Sequence, residues 1–169
     1  MINLIDGKGQ LGFELEKLIK KENSKENLFI HHTWNFLDKS EETQKKCYQD
    51  FREFVDNHKD SKIVFISTYS QAQNNYTLYK QLSESYLISN NEKGYVVRLP
   101  NLIGKGICQK IKDNQVENIF GEMELMNIKD AAKKVLDFST SESTIKNISI
   151  PGIKIPAHLA KDLILFGKK

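Results

Sequence analysis

The sequence predicts an α/β domain built on a parallel sheet, and three observations carry that prediction. Short apolar runs recur along the chain, stretches with helical spacing lie between them, and the run Ile63-Val64-Phe65-Ile66 is apolar at every position. Runs of that last kind belong to parallel strands buried on both faces, and strict strand–helix alternation implies right-handed crossovers. With 169 residues there is enough chain for one domain with a real core, and residues 1–169 are read as a single unit.

The elements follow in order. Residues 2–5 form a first short strand that meets the glycine turn Gly7-Lys8-Gly9-Gln10-Leu11-Gly12, and Leu11, Leu15, Leu18 and Ile19 then mark a helix. A polar break over 20–27 precedes a second strand at 28–34, apolar at its start. Helix-starting carboxylates over 38–42 lead into an amphipathic helix at 45–58 carrying Cys47, Tyr48, Phe51, Phe54 and Val55. The third strand is 63–66, followed by a helix over 74–88 with Leu78, Leu82, Tyr86 and Leu87 along its inner side. Tyr95-Val96-Val97-Arg98-Leu99 is a fourth strand stopped by Pro100, and 101–106 reads as loop. The pattern over 107–127 is ambiguous, a small excursion of helix and strand. Beyond it come a helix carrying Ala131, Ala132, Val135, Leu136 and Phe138, a last short strand at 147–152, and a terminal helix at 156–165 with Leu159, Leu163 and Ile164 inward.

Composition narrows the function classes. An apolar content of 39% with 28% charged residues is that of an ordinary soluble globular protein. The formal charge of +3 comes from scattered lysines, too diffuse to argue for nucleic acid. Cys47 and Cys108 have no CxxC spacing and no grouped His or carboxylate partners, so free thiols of a reducing cytosol are expected and a metal site is not. Asp6 and Gly7 follow the first apolar residues too soon for a signal peptide, and no apolar run approaches the roughly 20 residues of a membrane span, so a cytoplasmic location is expected.

Two stretches carry chemistry. A glycine turn between a strand and a helix lets the backbone approach a pyrophosphate, whose charge rests on exposed amides and the positive helix end. Tyr76 and Lys80 lie four residues apart, hence on one helix face, just past the strand that ends in Ser67-Thr68. An ammonium beside a phenol stabilises the phenolate and moves its pKa toward the working range, and the hydroxyl of Ser67 or Thr68 would polarise a carbonyl that Tyr76 protonates. Adjacent strand residues point to opposite faces, so at most one of His31 and His32 reaches a pocket, and a structural role is expected for both. Trp34 reads as core or partner surface. Arg98, set in an apolar strand, needs a partner such as Glu84, and Glu117, Glu122 and Glu124 read as a solvated acidic face.

In these residues the chain resembles the extended short-chain dehydrogenase/reductases, the NAD(P)-dependent epimerases, dehydratases and reductases of nucleotide sugars. The glycine turn followed by Phe13-Glu14-Leu15 looks like the dTDP-4-dehydrorhamnose reductase branch. Val64-Phe65-Ile66-Ser67-Thr68 is similar to the strand ending in the catalytic Ser/Thr, and Tyr76-x-x-x-Lys80 with Glu84 is similar to the YxxxK motif and its trailing acid. Val97-Arg98-Leu99-Pro100-Asn101-Leu102-Ile103-Gly104 looks like the strand and loop that pass the nicotinamide, and Asn127-Ile128-Lys129-Asp130-Ala131-Ala132 like a later helix start.

The resemblance implies a reduced Rossmann-like parallel sheet of about five strands with helices on both faces. It implies Tyr76 as general acid/base, Lys80 holding the nicotinamide ribose and lowering the Tyr76 pKa, and Thr68 or Ser67 orienting the substrate. NAD or NADP would lie on Gly7, Gly9, Gln10, Leu11 and Gly12, with Lys80, Pro100 and Asn101 on its nicotinamide side. The implied activity is an oxidoreductase or epimerase acting on a nucleotide-sugar-like small molecule in surface polysaccharide or deoxysugar synthesis, and a homodimer through the helices at 45–58 and 74–88.

The chain also departs from that pattern. The family has two further strands before the one that 28–34 resembles, and these flank the adenosine. No Asp or Glu stands in the expected place about 20 residues past the glycines to hold the ribose. The loop from Thr68 to Tyr76 and the region 107–127 are short. These departures support an alternative from another class, a degenerate relative without cofactor turnover that acts as a binding or assembly partner.

Overall fold

The computed structural model describes residues 1–5, 9–20, 27–70, 72–104, 107–113, 115 and 121–166. Five strands form the main sheet: β1 (Ile2–Ile5), β2 (Leu28–His31), β3 (Lys62–Thr68), β4 (Gly94–Leu99) and, after a second, smaller sheet, β7 (Asn147–Ser149). Every pairing in it is parallel and the spatial order is β1-β2-β3-β4-β7. The predicted reduced Rossmann-like sheet, with helices on both faces, is the architecture found.

Helices α1 (Gln10–Ile19) and α5 (Ile128–Thr140) pack together on one face. Their Leu11, Leu15, Ala131, Ala132, Val135 and Leu136 bury against Leu28, Ile30, Val64, Ile66 and Val97. Helices α2 (Glu41–Asn57) and α3 (Asn75–Asn90) cover the opposite face, where Phe51, Val55 and Leu87 meet Ile63, Phe65 and Val96. Alternation along β3 explains the division, since Ile63 and Phe65 point one way and Val64 and Ile66 the other. Three helices start on side-chain caps: Ser40 accepts from the Thr43 amide, Asn74 from that of Thr77 and Asn127 from that of Lys129.

The smaller sheet, order β5-β6-β8, differs from the sequence reading. Strand β5 (Asn101–Ile103) runs parallel to β6 (Glu122–Asn127), which pairs antiparallel with β8 (Ile153–Pro156). Residues 101–103, expected as loop, are therefore strand, because the chain resumes extended pairing directly after Pro100. Helices α4 (Ile107–Lys112) and α6 (Ala157–Phe166) cover this sheet around Cys108, Ile111, Leu125, Ala160 and Ile164.

Two helix faces are rotated from expectation. Leu78 and Leu82 point outward, and the buried residues of α3 are Thr77, Lys80, Ser83, Glu84 and Leu87. Polar side chains win the inner side because each of the two charged ones finds a partner there: Lys80 a backbone carbonyl, Glu84 a guanidinium. On α6 Leu159 is likewise exposed, and Ala157, Ala160 and Ile164 face inward.

Candidate functional site

In a parallel sheet all strands end toward the same edge; here Ile5 and His31 end level with Phe65, and β3 and β4 run three residues further, to the pair Thr68 and Leu99. Gly9 at the start of α1, Tyr76 at the start of α3, and Pro100 after β4 belong to the same edge. Open α/β sheets bind ligands outside the carboxyl ends of their strands, so this is where chemistry is expected.

Tyr76, at the start of α3, and Thr68, at the end of β3, are two sequence-predicted residues that come near one another, close enough for the Thr68 side chain to favour the Tyr76 phenolate. The Thr68 hydroxyl oxygen accepts the Ser70 amide at 3.0 Å, which fixes the turn out of β3. Burial pushes the Tyr76 phenol above its ordinary value, and the nearby Thr68 side chain partly offsets that. A phenol in this setting stays protonated at neutral pH and is suited to donate its proton to a carbonyl oxygen.

Lys80 differs from expectation. Its Nζ donates to the Ile66 carbonyl at 2.7 Å and lies 4.4 Å from the Phe65 ring centroid and 4.8 Å from that of Trp34. Only 4% of the residue is exposed. Burial pulls its pKa down to about 7, with the charges of Glu84 and Cys47 acting in the opposite sense. Its ammonium is therefore engaged under the sheet edge, in an aromatic box, and the upward shift of Tyr76 is opposite to the lowering that a neighbouring Lys80 charge was expected to give. The box is locked by Gln44, whose Oε1 accepts Trp34 Nε1–H at 2.7 Å while its Nε2 donates to the carbonyls of Asn35 and Asp38. Ser67 is buried beside this region and its Oγ has no hydrogen-bond partner among the described residues.

The two histidines divide as alternation requires. His31 sits among Phe51, Phe54 and Phe65, with ring centroids 4.8, 5.2 and 5.9 Å away. Burial, then the charges of Lys80 and His32, lower its pKa to about 3, so the ring is neutral and structural. His32 faces the other way, its Cε1 standing 3.8 Å from where a Cβ on Gly9 would be.

Gly9 is the N-cap of α1 and offers no side chain to its amides, although Phe13 N–H bonds its carbonyl at 2.9 Å. Leu11 and Gly12 are buried in the first turn. Gln10 reaches across to the loop after β5: a Cβ on Gly104 would fall 2.0 Å from Gln10 Oε1. Gly7 lies outside the described residues. Pro100 is buried, its Cγ 3.0 Å from a Cβ built on Gly152, and the Asn101 amide donates to the Glu124 carbonyl at 3.4 Å. Pro100 and Asn101 thus join the two sheets.

That seam holds residues the sequence reading passed over. Glu124, expected on a solvated acidic face, accepts the Gly152 amide on Oε1 at 2.7 Å. Tyr69 is adjacent to Thr68, and its phenol is raised by burial first and by the Glu124 charge second, with the Ser149 side chain acting in the opposite sense. No local pattern joins positions 69, 124 and 149, which the pairings of β3 with β4, β4 with β7 and β5 with β6 bring toward one another. Among the described residues no group of three His, Cys, Asp or Glu is placed to hold a metal ion, and no helix is long and apolar enough to cross a membrane.

Neither a family model nor a curated protein matches the chain by sequence. Solved structures do match it in shape. A dTDP-4-dehydrorhamnose reductase from Clostridium acetobutylicum superposes with a TM-score of 0.72 at 18% identity, covering 97% of this chain and 78% of its own. The UDP-N-acetylglucosamine 4-epimerase of Bacillus cereus gives 0.73 at 15% identity, with 95% and 82% covered. The Bordetella bronchiseptica enzyme WbmG, in complex with NAD and UDP, gives 0.77 at 12% identity, with 97% and 77% covered. The chain has the short-chain dehydrogenase/reductase fold. The resemblance read from the glycine turn, Thr68 and the Tyr76–Lys80 spacing is thereby borne out at the level of fold.

Whether a dinucleotide fits this version of the dehydrogenase/reductase fold depends on the sheet. A dinucleotide straddles the crevice where strand order reverses. Here the order β1-β2-β3-β4-β7 never reverses, and β1 is an edge strand with no neighbour beyond it among the described residues. Only residues 20–27 join α1 to β2, whereas a crossover to a further parallel strand takes a dozen residues or more. Among the described residues no further strand walls the adenosine half, and the ammonium expected on the nicotinamide ribose donates to the Ile66 carbonyl. The residues present do not fit a whole dinucleotide.

Proposed function

We propose that this chain binds a nucleotide-sugar-like small molecule at the carboxyl ends of its strands without cofactor turnover, and serves as a binding or assembly partner in surface polysaccharide or deoxysugar synthesis. The observation that carries the reading is the unreversed strand order with β1 at the edge, which removes the adenosine side while leaving the opposite side of the site in place. The ligand class is taken from the fold neighbours, which include a UDP-sugar epimerase and a dTDP-sugar reductase. A cytoplasmic setting accords with the two free thiols, Cys47 and Cys108.

Calorimetric titration of the whole chain tests the proposal. No heat is expected from NADH or NADPH at millimolar concentration, and saturable binding from UDP-N-acetylglucosamine or dTDP-glucose. Tight binding of either dinucleotide would refute the reading.

A second reading is favoured by one observation, the nearness of Tyr76 at the start of α3 to Thr68 at the end of β3. It supports an NAD(P)-dependent oxidoreductase or epimerase, in which Tyr76 donates a proton to the substrate carbonyl that Thr68 positions. In that case Tyr76→Phe abolishes activity and leaves folding intact; on the first reading the same variant keeps full biological activity. The expected homodimer through α2 and α3 is supported by Leu78 and Leu82, 50% and 39% exposed on α3. A Leu78→Glu/Leu82→Glu variant that sediments like the wild type would count against it.

A further inference from the structure

We propose that residues 33–39, the segment between β2 and α2, form a lid over Lys80 that opens when the amine takes up a proton, which makes the carboxyl edge of the sheet responsive to pH. The device goes beyond the proposed ligand binding and does not depend on which molecule the edge holds.

The surroundings of the amine have fixed walls and one movable wall. Phe65 and the Ile66 carbonyl, which accepts from Lys80 Nζ at 2.7 Å, belong to the central strand β3, and Lys80 itself stands on α3. The movable wall is Trp34, whose ring lies 4.8 Å from Nζ and 5.8 Å from the ring of Phe65. Residues 32–40 are neither helix nor strand, and from Asn35 onward they are exposed, Phe36 and Leu37 by 49% and 77%, so little apolar burial holds the segment shut. Hydrogen bonds hold it instead. Gln44 bonds Trp34 Nε1–H and the carbonyls of Asn35 and Asp38, Thr33 Oγ1 donates to the Ile5 carbonyl at 2.8 Å, and Asn75 Nδ2 donates to that of Lys39 at 3.3 Å. Segments with few buried apolar contacts open locally at less cost than the whole fold. Ile5 ends β1 and Asn75 opens α3 beside Tyr76, so movement of the lid is felt at both ends of the strand-end edge.

The proton supplies the drive. With the lid closed, Lys80 is 4% exposed and its Nζ donates to a neutral carbonyl, so burial favours the uncharged amine and holds its pKa at about 7 against 10.5. The faces of Phe65 and Trp34 return only part of the lost hydration. Glu84, one turn along α3 and paired with Arg98 of β4, and Cys47 of α2 act in the opposite sense without restoring the ordinary value, and the ring of His31 on β2 is neutral down to about pH 3. Water that reaches Nζ through an open lid removes the cost of the charge. With the open amine fully hydrated, the open fraction rises about tenfold for each unit that pH falls from 10.5 to 7, and levels off below 7, where the closed form is charged as well.

Hydrogen exchange of the Trp34 indole N–H tests the lid. Trp34 is the one tryptophan of the chain, so the signal is unambiguous, and its bond to Gln44 at 2.7 Å breaks when the segment lifts. Protection is read against free tryptophan at the same pH. In the wild type it should be lower than that of the Phe65 and Ile66 amides of β3, which report global unfolding, and should fall about tenfold per pH unit from pH 9 to 7 before levelling off. In Lys80→Met it should stay constant over that range, and in His31→Phe it should follow the wild type. A flat wild-type profile, the same slope in Lys80→Met, or indole protection equal to that of the β3 amides overturns the lid. Should Lys80→Met fail to fold, His31→Phe decides: retention of the slope supports Lys80 as its source, and loss of the slope assigns it to the histidine and overturns the lid.

Discussion

Replacing Lys80 by Met should remove a pH dependence that the wild type carries on the alkaline side. In the folded chain the ammonium is buried between Phe65 and Trp34 and its pKa is lowered to about 7 from 10.5. Between those two values the unfolded chain holds a proton that the folded chain has released, so stability rises with pH across the window. Each pH unit of it contributes about 1.4 kcal/mol, and for a chain of this length that is roughly 3–5 °C in melting temperature. Below pH 7 both states are protonated and the cost of burying the charge is fully present. Met fills much of the same volume without a charge, so Lys80→Met should be more stable than the wild type at pH 6–7, with the difference closing as pH approaches 10. Urea melts of both proteins at half-unit steps from pH 6 to 10 read the difference directly, and other titrating groups cancel in the comparison. Parallel slopes for the two proteins would refute the reasoning, because they would mean that the Lys80 ammonium is as well solvated folded as unfolded. It would then be free to meet a ligand.

Further outcomes follow from the same packing. His31→Phe should abolish an acid-side loss: the wild-type ring resists protonation down to about 3, so stability falls as pH drops from 6.5 toward 3, and pH-dependent melts of the variant should be flatter there. Arg98→Met strands the Glu84 carboxylate, which is 5% exposed and takes Arg98 Nε–H on both oxygens at 3.1 and 3.0 Å. Because Arg98 itself is partly exposed, the cost should lie near the low end for a broken buried pair, about 3 kcal/mol by urea melts, and Arg98→Met/Glu84→Met should recover much of it. Gln44→Leu should cost about 2–4 kcal/mol by the same assay and raise near-ultraviolet mobility of Trp34, since it removes three hydrogen bonds from a fully buried amide.

The main sheet was legible because its strands are buried on both faces and so read as unbroken apolar runs, Ile63 to Ile66 above all. The smaller sheet was not, and its strands show why. Strand β6 alternates Glu122, Met123, Glu124 and Leu125, which looks like a solvated face until β8 pairs with it, and β8 has only four residues, two of them polar or proline. In the site, the Tyr76–Lys80 spacing located α3 correctly but not its rotation. Apolar periodicity placed Leu78 and Leu82 inward, whereas the partners that turn Lys80 and Glu84 inward, Trp34, Phe65 and Arg98, come from elements 14 to 46 residues away in the chain. The Arg98–Glu84 pair was legible all the same, because a charge inside an apolar strand has to be answered by the nearest carboxylate on the helix that crosses it.

The strand order explains how a chain this short keeps a fold whose neighbours are enzymes. Parallel strands joined by helices are added outward from the centre, so strands beyond β1 can be lost without opening the contacts of β2, β3 and β4. What is lost is the reversal of strand order, and with it the crevice for the second half of a dinucleotide. At the same edge His32 lies against Gly9, Gln10 against Gly104, and the Lys80 ammonium is held in an aromatic box. An unreversed order with β1 at its edge is why the proposed reading puts ligand binding, and not dinucleotide turnover, at the carboxyl ends of the strands.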